Sequence, residues 1–330
     1  MQPVQNLLVL YTGGTIGMQM TDAGLAPASG FEARLRAEQL NHPQRTVPTW
    51  HFRELLPPLD SANMTQANWL AMRDAIVAGV EDGHDAVLVL HGTDTLAYSA
   101  AALSFLLLGL PVPVLLTGAM QPAGAAGSDA WPNLFGALEV LAQGVASGVH
   151  LYFNGKLLHG ACTSKLKSDA VDAFVEARRP RRGMRATHLP TQLDYRQPRT
   201  TVALAIQPLF PGLAAEQLRA VLASGVRGLL LECYGSGTGP TADQAFVQVL
   251  RDAHAAGVVL AAISQCPQGH VEFGLYAAGS LLADAGVISG DGMTREAALG
   301  KLFALLGAGL DQQQTEHWFT LDLCGEQADT

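Results

Sequence analysis

Positive charge, cysteine and long apolar runs are all scarce in this chain, and each scarcity removes a class of function. Against 29 acidic residues stand 20 Lys and Arg, a formal net charge of −9, so nucleic acid and anionic membrane are not expected partners. The local exception, Arg178-Arg179-Pro180-Arg181-Arg182, reads as a solvated loop. The four cysteines, Cys162, Cys233, Cys266 and Cys324, form no Cys-x-x-Cys pair, which argues for free thiols in a reducing compartment and against a zinc knuckle. No segment reaches the roughly 18 apolar residues of a membrane span. The start, Met1-Gln2-Pro3-Val4-Gln5-Asn6, lacks the charged and apolar regions of a signal peptide, so a cytoplasmic location is expected.

What is present is apolar and regularly arranged. With 48% hydrophobic and 15% charged residues among 330, the chain should fold throughout, as two α/β domains. Val- and Leu-rich runs at 7–11, 86–90, 112–117 and 149–153 read as strands buried on both faces, with a further strand near 50–55. Between them, Trp69, Met72, Ile76, Val77 and Val80 share a helical face, and 96–108 is apolar nearly all round. Such alternation predicts parallel strands joined by crossover helices. The rhythm fails over 180–200, which collects Pro, Arg, Gln and Thr and reads as a linker with a boundary near 195. Strands at 202–206, 228–231 and 258–263 and helices near 214–223, 242–255 and 295–306 then resume. The expected fold is a larger N-terminal, mostly parallel, flavodoxin-like domain (1–195) and a smaller C-terminal Rossmann-like α/β domain (196–330).

Polar residues gather at four strand ends, where open α/β sheets place ligands. The first strand runs into Tyr11-Thr12-Gly13-Gly14-Thr15-Ile16-Gly17. As a dinucleotide fingerprint this is a near miss, with Thr12 at the first glycine position and no helix start behind it. Its glycines instead allow close approach of backbone to a substrate beside the hydroxyl of Thr12 or Thr15. The second strand leads to Asp60-Ser61, suited to the ammonium and carboxylate of a zwitterion. The third ends in His91-Gly92-Thr93-Asp94-Thr95, in which Asp94 or Thr93 could cap the next helix. The fourth gives Thr117-Gly118-Ala119-Met120. A hydroxyl nucleophile needs a base, and His91, Lys165 and Lys167 are the candidates; spacing alone does not separate the two lysines.

The segments 11–17 and 91–95, in this order, resemble the two signatures of the bacterial-type asparaginase and glutaminase family. The resemblance continues through Ser128-Asp129, Asn133-Leu134, 160–165, Tyr234-Gly235-Ser236-Gly237 and Gly290-Asp291-Gly292-Met293-Thr294. Thr-Ile-Gly-Met after the paired glycines is similar to the type I, cytoplasmic branch. The resemblance implies that Thr15 attacks a side-chain amide to give an acyl-enzyme, with Thr93, Asp94 and Lys165 as the second catalytic group. It further implies substrate binding by Gly14, Asp60, Ser61, Gly92, Thr93, Asp94 and Ala119, with backbone N–H groups around Gly14 and Thr93 as the oxyanion site. It implies L-asparagine as substrate, no cofactor or metal, and a homodimer or homotetramer in which the second domain completes the site and the dimer interface.

Three departures stand out. Leu25 occupies the place of a loop tyrosine that many members bond to the nucleophile, and Thr238 replaces an asparagine after Gly-x-Gly. Type I members can also bind asparagine at a second, effector site; Ser164 and Cys266 match that place, but Glu232 stands where some members have arginine. The alternatives to an asparaginase are a glutaminase-asparaginase and a non-catalytic asparagine sensor on the same scaffold.

Overall fold

In a computed structural model of the chain, which describes residues 3–22, 24–177 and 183–327, the first strand has no exposed face. Leu7 to Tyr11 of β1 (Asn6–Gly13) are each at most 1% exposed, which is why they read as a continuous apolar run instead of an alternating one. There follow a hairpin, β2 (Gln19–Thr21) and β3 (Gly24–Ala26), then α1 (Phe31–Asn41), β4 (Thr49–Leu59), α2 (Gln66–Glu81), β5 (Ala86–Leu90), α3 (Leu96–Leu106), β6 (Pro113–Thr117), α4 (Ala130–Gln143), β7 (Gly148–Phe153), β8 (Lys156–His159), β9 (Thr163–Lys165) and β10 (Phe174–Glu176). These elements make the first of two compact units, residues 1–176 and 177–330.

The main sheet of the first unit has the order β4-β1-β5-β6-β7-β8. Its first five strands are parallel and β8 is antiparallel. Numbered along the chain, the parallel strands run 2-1-3-4-5, the flavodoxin order, whose direction reverses between β1 and β5. The crevice beyond the carboxyl ends of those two strands is therefore where this topology leaves room for a ligand. Behind β5, α3 is buried at every residue but Tyr98. Helix α2 starts on a capping box in which the Thr65 N–H donates to Asn68 Oδ1 (2.9 Å) and the Asn68 N–H to Thr65 Oγ1 (3.4 Å). Below the sheet, Tyr11, Phe31 and Trp131 stack in series at centroid spacings of 5.4 and 5.7 Å.

The second unit contains β11 (Leu204–Pro208), α5 (Ala215–Ala223), β12 (Gly228–Cys233), α6 (Gln244–Ala255), β13 (Val259–Ser264), α7 (Ala277–Asp284), β14 (Val287–Ser289), α8 (Arg295–Gly307) and α9 (Gln312–Thr320). Its four strands are parallel and consecutive, β11-β12-β13-β14, so no reversal arises among them. By contacts the chain divides between residues 176 and 177, at the start of the Pro- and Arg-rich stretch. Gly183 N–H donates to Gln327 O (3.0 Å) and Arg185 pairs with Asp322 (3.2 Å), so this stretch packs with the second unit. The basic run at 178–182 lies outside the described residues. The chain's end is fastened by a buried ion pair between Lys301 of α8 and Glu326, 2.6 Å apart and both fully buried. Glu326 also accepts the N–H groups of Leu323 and Cys324. Among the described residues no helix is long and apolar enough to cross a membrane.

Candidate active site

β1 ends in Gly13 and Gly14, both at positive φ (112° and 80°), and the chain turns into a single 3₁₀ turn, Thr15–Gly17. Gly14 packs on the peptide of Gly92, 78 positions along the chain; a Cβ on Gly14 would collide with the Gly92 nitrogen. Only glycine allows this approach, so the first and third strand ends meet backbone to backbone. The two threonines of the turn differ. Thr12 is 3% exposed and its hydroxyl donates to Leu90 O at 3.0 Å. Thr15 is half-buried, and among the described residues its hydroxyl has no hydrogen-bond partner.

The end of β4 supplies Asp60 and Ser61. Asp60 Oδ1 accepts the Ala62 N–H (3.1 Å), which fixes the carboxylate over the 3₁₀ turn Ser61–Asn63. Ser61 is 3% exposed; its Oγ accepts the Asp94 N–H (3.3 Å) and its carbonyl accepts the Thr95 hydroxyl (2.9 Å). Among the described residues the Ser61 hydroxyl proton has no acceptor and can donate.

Thr93 and Asp94 do not cap α3. The helix begins at Leu96 behind Thr95, with no side-chain cap. Both are instead taken by one lysine, since Lys165 Nζ donates to Thr93 Oγ1 at 3.1 Å and to Asp94 Oδ1 at 2.8 Å. Lys165 closes strand β9, with its side chain 18% exposed. Lys167, beyond the strand, pairs with Asp172 at 2.5 Å, where both side chains are 46% exposed. His91 is not available as a base. It is fully buried, both ring nitrogens are engaged (Nδ1 with Gly92 O, 2.7 Å; Nε2 with Ser99 Oγ, 2.9 Å), and burial pushes its pKa down to about 4.

At the end of β6, Ala119 is fully buried and its loop is gripped by two residues that patterning did not single out for a role. The Asp129 carboxylate accepts the N–H groups of Met120 (2.9 Å) and Gln121 (3.0 Å). Asn133, one turn on, donates to Gly118 O (3.0 Å) and accepts the Asn154 N–H (2.8 Å). The available signal was the family resemblance at Ser128-Asp129 and Asn133-Leu134, an acid and an amide four apart at the start of α4.

Leu25 lies on the β2–β3 hairpin, opposite Met20; both are exposed, at 48% and 76%. Where that segment returns to the body, Ala28 O accepts the Tyr11 hydroxyl (3.0 Å), and the same hydroxyl fills the place where Gly17 would carry a Cβ. Burial, with Glu54 adding to it, pushes the Tyr11 pKa up to about 12. In the second unit, Thr238 closes the turn after β12 by bonding to Tyr234 O, and Glu232 is 3% exposed and held by Arg295 through two bonds, one of 2.9 Å. Cys266 is exposed there, and Ser164 of the first unit is half-buried on β9.

Two family models match the chain along almost its whole length, "Asparaginase, N-terminal" over residues 6–198 and "Glutaminase/Asparaginase C-terminal domain" over 204–319. The chain belongs to the asparaginase family. Among its relatives, L-asparaginase 1 of Escherichia coli K12 is 37% identical, with 98% of each chain covered. The L-asparaginase of Thermococcus kodakarensis is 32% identical over 97% of this chain and 98% of that one. The crystal structure of L-asparaginase I from Vibrio cholerae superposes with a TM-score of 0.84 at 33% identity, covering 99% and 100% of the two chains. The α/β architecture with parallel sheets, a larger N-terminal domain and a smaller C-terminal one is that of the asparaginases.

Proposed function

We propose that this chain is an L-asparaginase, hydrolysing the side-chain amide of L-asparagine to L-aspartate and ammonia. The observation that carries the reading is Lys165, which joins Thr93 and Asp94 at the reversal of the sheet, across the Gly14–Gly92 contact from the unengaged hydroxyl of Thr15. In this reading Thr15 Oγ attacks the amide carbon and ammonia leaves. Water then attacks the resulting ester, freeing aspartate and restoring the hydroxyl. Thr93, fixed by Lys165, and Asp94 handle the protons. Asp60 and Asp94 hold the substrate ammonium, and the Ser61 hydroxyl its α-carboxylate. The Gly14 N–H is already given to Leu59 O (2.9 Å), so the oxyanion donors assigned here are the N–H groups of Thr15 and Thr93, with the Ala119 main chain near the amide.

The fitting assembly is a homodimer or homotetramer in the cytoplasm, as for the type I branch. Effector control through Ser164 and Cys266 has less support, because the buried Glu232 is already neutralised by Arg295. Ammonia release from L-asparagine by the purified chain, lost in Thr15→Ala, tests the reading. Undiminished turnover in that variant would remove Thr15 as nucleophile, and faster turnover of L-glutamine would make the chain a glutaminase-asparaginase. Asparagine binding without turnover would make it a sensor.

A further inference from the structure

Beneath the Gly92–Thr93 loop runs a chain of three side-chain hydrogen bonds that the proposed chemistry does not use. Trp69 of α2 donates Nε1–H to Ser99 Oγ of α3 (2.9 Å), Ser99 Oγ lies 2.9 Å from His91 Nε2, and His91 Nδ1 lies 2.7 Å from Gly92 O. His91 and Ser99 are fully buried and Trp69 is 7% exposed. The protons can be placed in one way. A carbonyl only accepts, so Nδ1 carries hydrogen; the ring is neutral at pH 7, burial having lowered its pKa to about 4, so Nε2 accepts from the Ser99 hydroxyl. Ser99 in turn accepts from the indole, which only donates. Every donor has an acceptor, and the series ends on the Gly92 carbonyl.

That carbonyl needs an anchor. The side of Gly92 where a Cβ would stand is filled by Ser61 Oγ (2.5 Å from that position) and by the Cα of Gly14 (3.1 Å), so glycine is obligatory there. Glycine also restrains its own backbone least of all residues. The close approach that builds the cleft thus costs the loop its stiffness, at the residue before Thr93. Because a peptide unit is planar, holding the Gly92 oxygen sets the direction of the Thr93 N–H on the opposite side.

We propose that His91 is a positioning residue, which through its Nδ1–H bond to Gly92 O orients the Gly92–Thr93 peptide and so aims the N–H and hydroxyl of Thr93 into the cleft. Ser99 and Trp69 hold the imidazole in the tautomer this requires. The proposal rests on the amide-hydrolysis reading above.

Three variants and one spectrum test it. His91→Leu removes the donor, His91→Asn returns an amide N–H near the place of Nδ1, and Ser99→Ala leaves the ring but frees its far side. In His91→Leu kcat should fall about 100-fold, the scale expected when a reacting group is slightly misplaced, with KM changed by less than about threefold. His91→Asn should recover at least about tenfold of that loss, and Ser99→Ala should lose about tenfold in kcat. A merely structural histidine would lower Tm in both His91 variants and leave kcat per folded molecule alone. Wild-type kcat in folded His91→Leu, or equal defects in His91→Asn and His91→Leu, overturns the proposal. If the His91 variants do not fold, Ser99→Ala decides, and wild-type kcat there overturns it. The ¹⁵N spectrum of the wild-type imidazole should show the Nδ1–H tautomer, and the Nε2–H form would overturn the arrangement. That spectrum needs no turnover. An inactive wild type showing Nδ1–H would therefore refute amide hydrolysis and leave the hydrogen-bond chain standing.

Discussion

Gly14 and Gly92 touch through their backbones, the Cα of one standing 3.1 Å from where the other would carry a Cβ. Because that contact joins the two loops of the proposed site, Gly14→Ala should be disabling without removing any reactive group. The substitution adds a methyl into the Gly92 peptide at a φ of 80°, so a stability loss of about 1–3 kcal/mol is expected from backbone strain. A fall in kcat/KM of about 100-fold or more is expected from displacement of Thr15. Thermal unfolding and steady-state kinetics on the same preparation measure both; a stable variant with normal kcat/KM would mean the approach is dispensable.

Lys165 and Lys167 should behave as opposites. Lys165→Met removes the bridge between Thr93 and Asp94, the two groups proposed to handle the protons, and should lower kcat by about 100-fold to 10⁴-fold, the usual range when acid–base catalysis is lost. Lys167→Met breaks only an exposed pair with Asp172 and should stay within about threefold of wild type. Equal losses in the two would show that the lysine near Thr93 has no special part in turnover.

Asn133 uses both ends of its amide to tie β6 to the turn after β7. Replacing it with leucine leaves Gly118 O and the Asn154 N–H without this partner in a site 2% exposed. The expected cost is about 2 kcal/mol or more, read by urea unfolding. KM for asparagine should rise as the Ala119 loop loosens, whereas an unchanged KM would detach this clamp from substrate binding.

At the other end of the chain, Glu326→Gln should destabilise the fold by about 3–5 kcal/mol, because it leaves buried Lys301 without its counter-charge. Burial alone would raise the Glu326 pKa. The Lys301 charge and the bonds from Asp322, Lys301 and the Cys324 N–H outweigh it and bring the pKa down from 4.5 to about 2. An acid held more acidic in the folded state contributes stability above its unfolded pKa and loses it as pH falls through the folded value. Asp322 acts in the opposite direction, since burial and neighbouring Glu326 raise its pKa, so its protonation on acidification favours folding. Denaturant titrations between pH 5 and pH 2 should show the wild-type advantage over Glu326→Gln shrinking as pH falls, and an advantage constant with pH would contradict the assignment.

Much of this was readable from residues alone, and the rest was not for identifiable reasons. β5 is a run of Val, Leu and Ala buried on both faces, so the apolar run 86–90 and the strand coincide. In α1 only Phe31 and Leu35 are buried, too few to set up a period. Lys165 and Lys167 could not be separated by alternation because residues two apart on a strand share a face; what separates them is that β9 ends at Lys165. Ser99 sits in a helix that reads as apolar all round, and its link to His91 exists only once α3 lies against the end of β5. The Asp129–Asn133 grip is likewise a tertiary fact, in which a helix start reaches back over its preceding strand.

The segment that follows Thr15 leaves the body at Gly17 and returns at Ala28, and both points rest on the hydroxyl of Tyr11. Among the described residues the hairpin between them pairs only with itself. For an engineer this is a cassette with both splice junctions on one phenol. Residues 18–27 can be exchanged for the corresponding loop of a relative, tyrosine included, without recutting the sheet beneath, so the turn at Thr15 and the hairpin behind it can evolve on separate schedules.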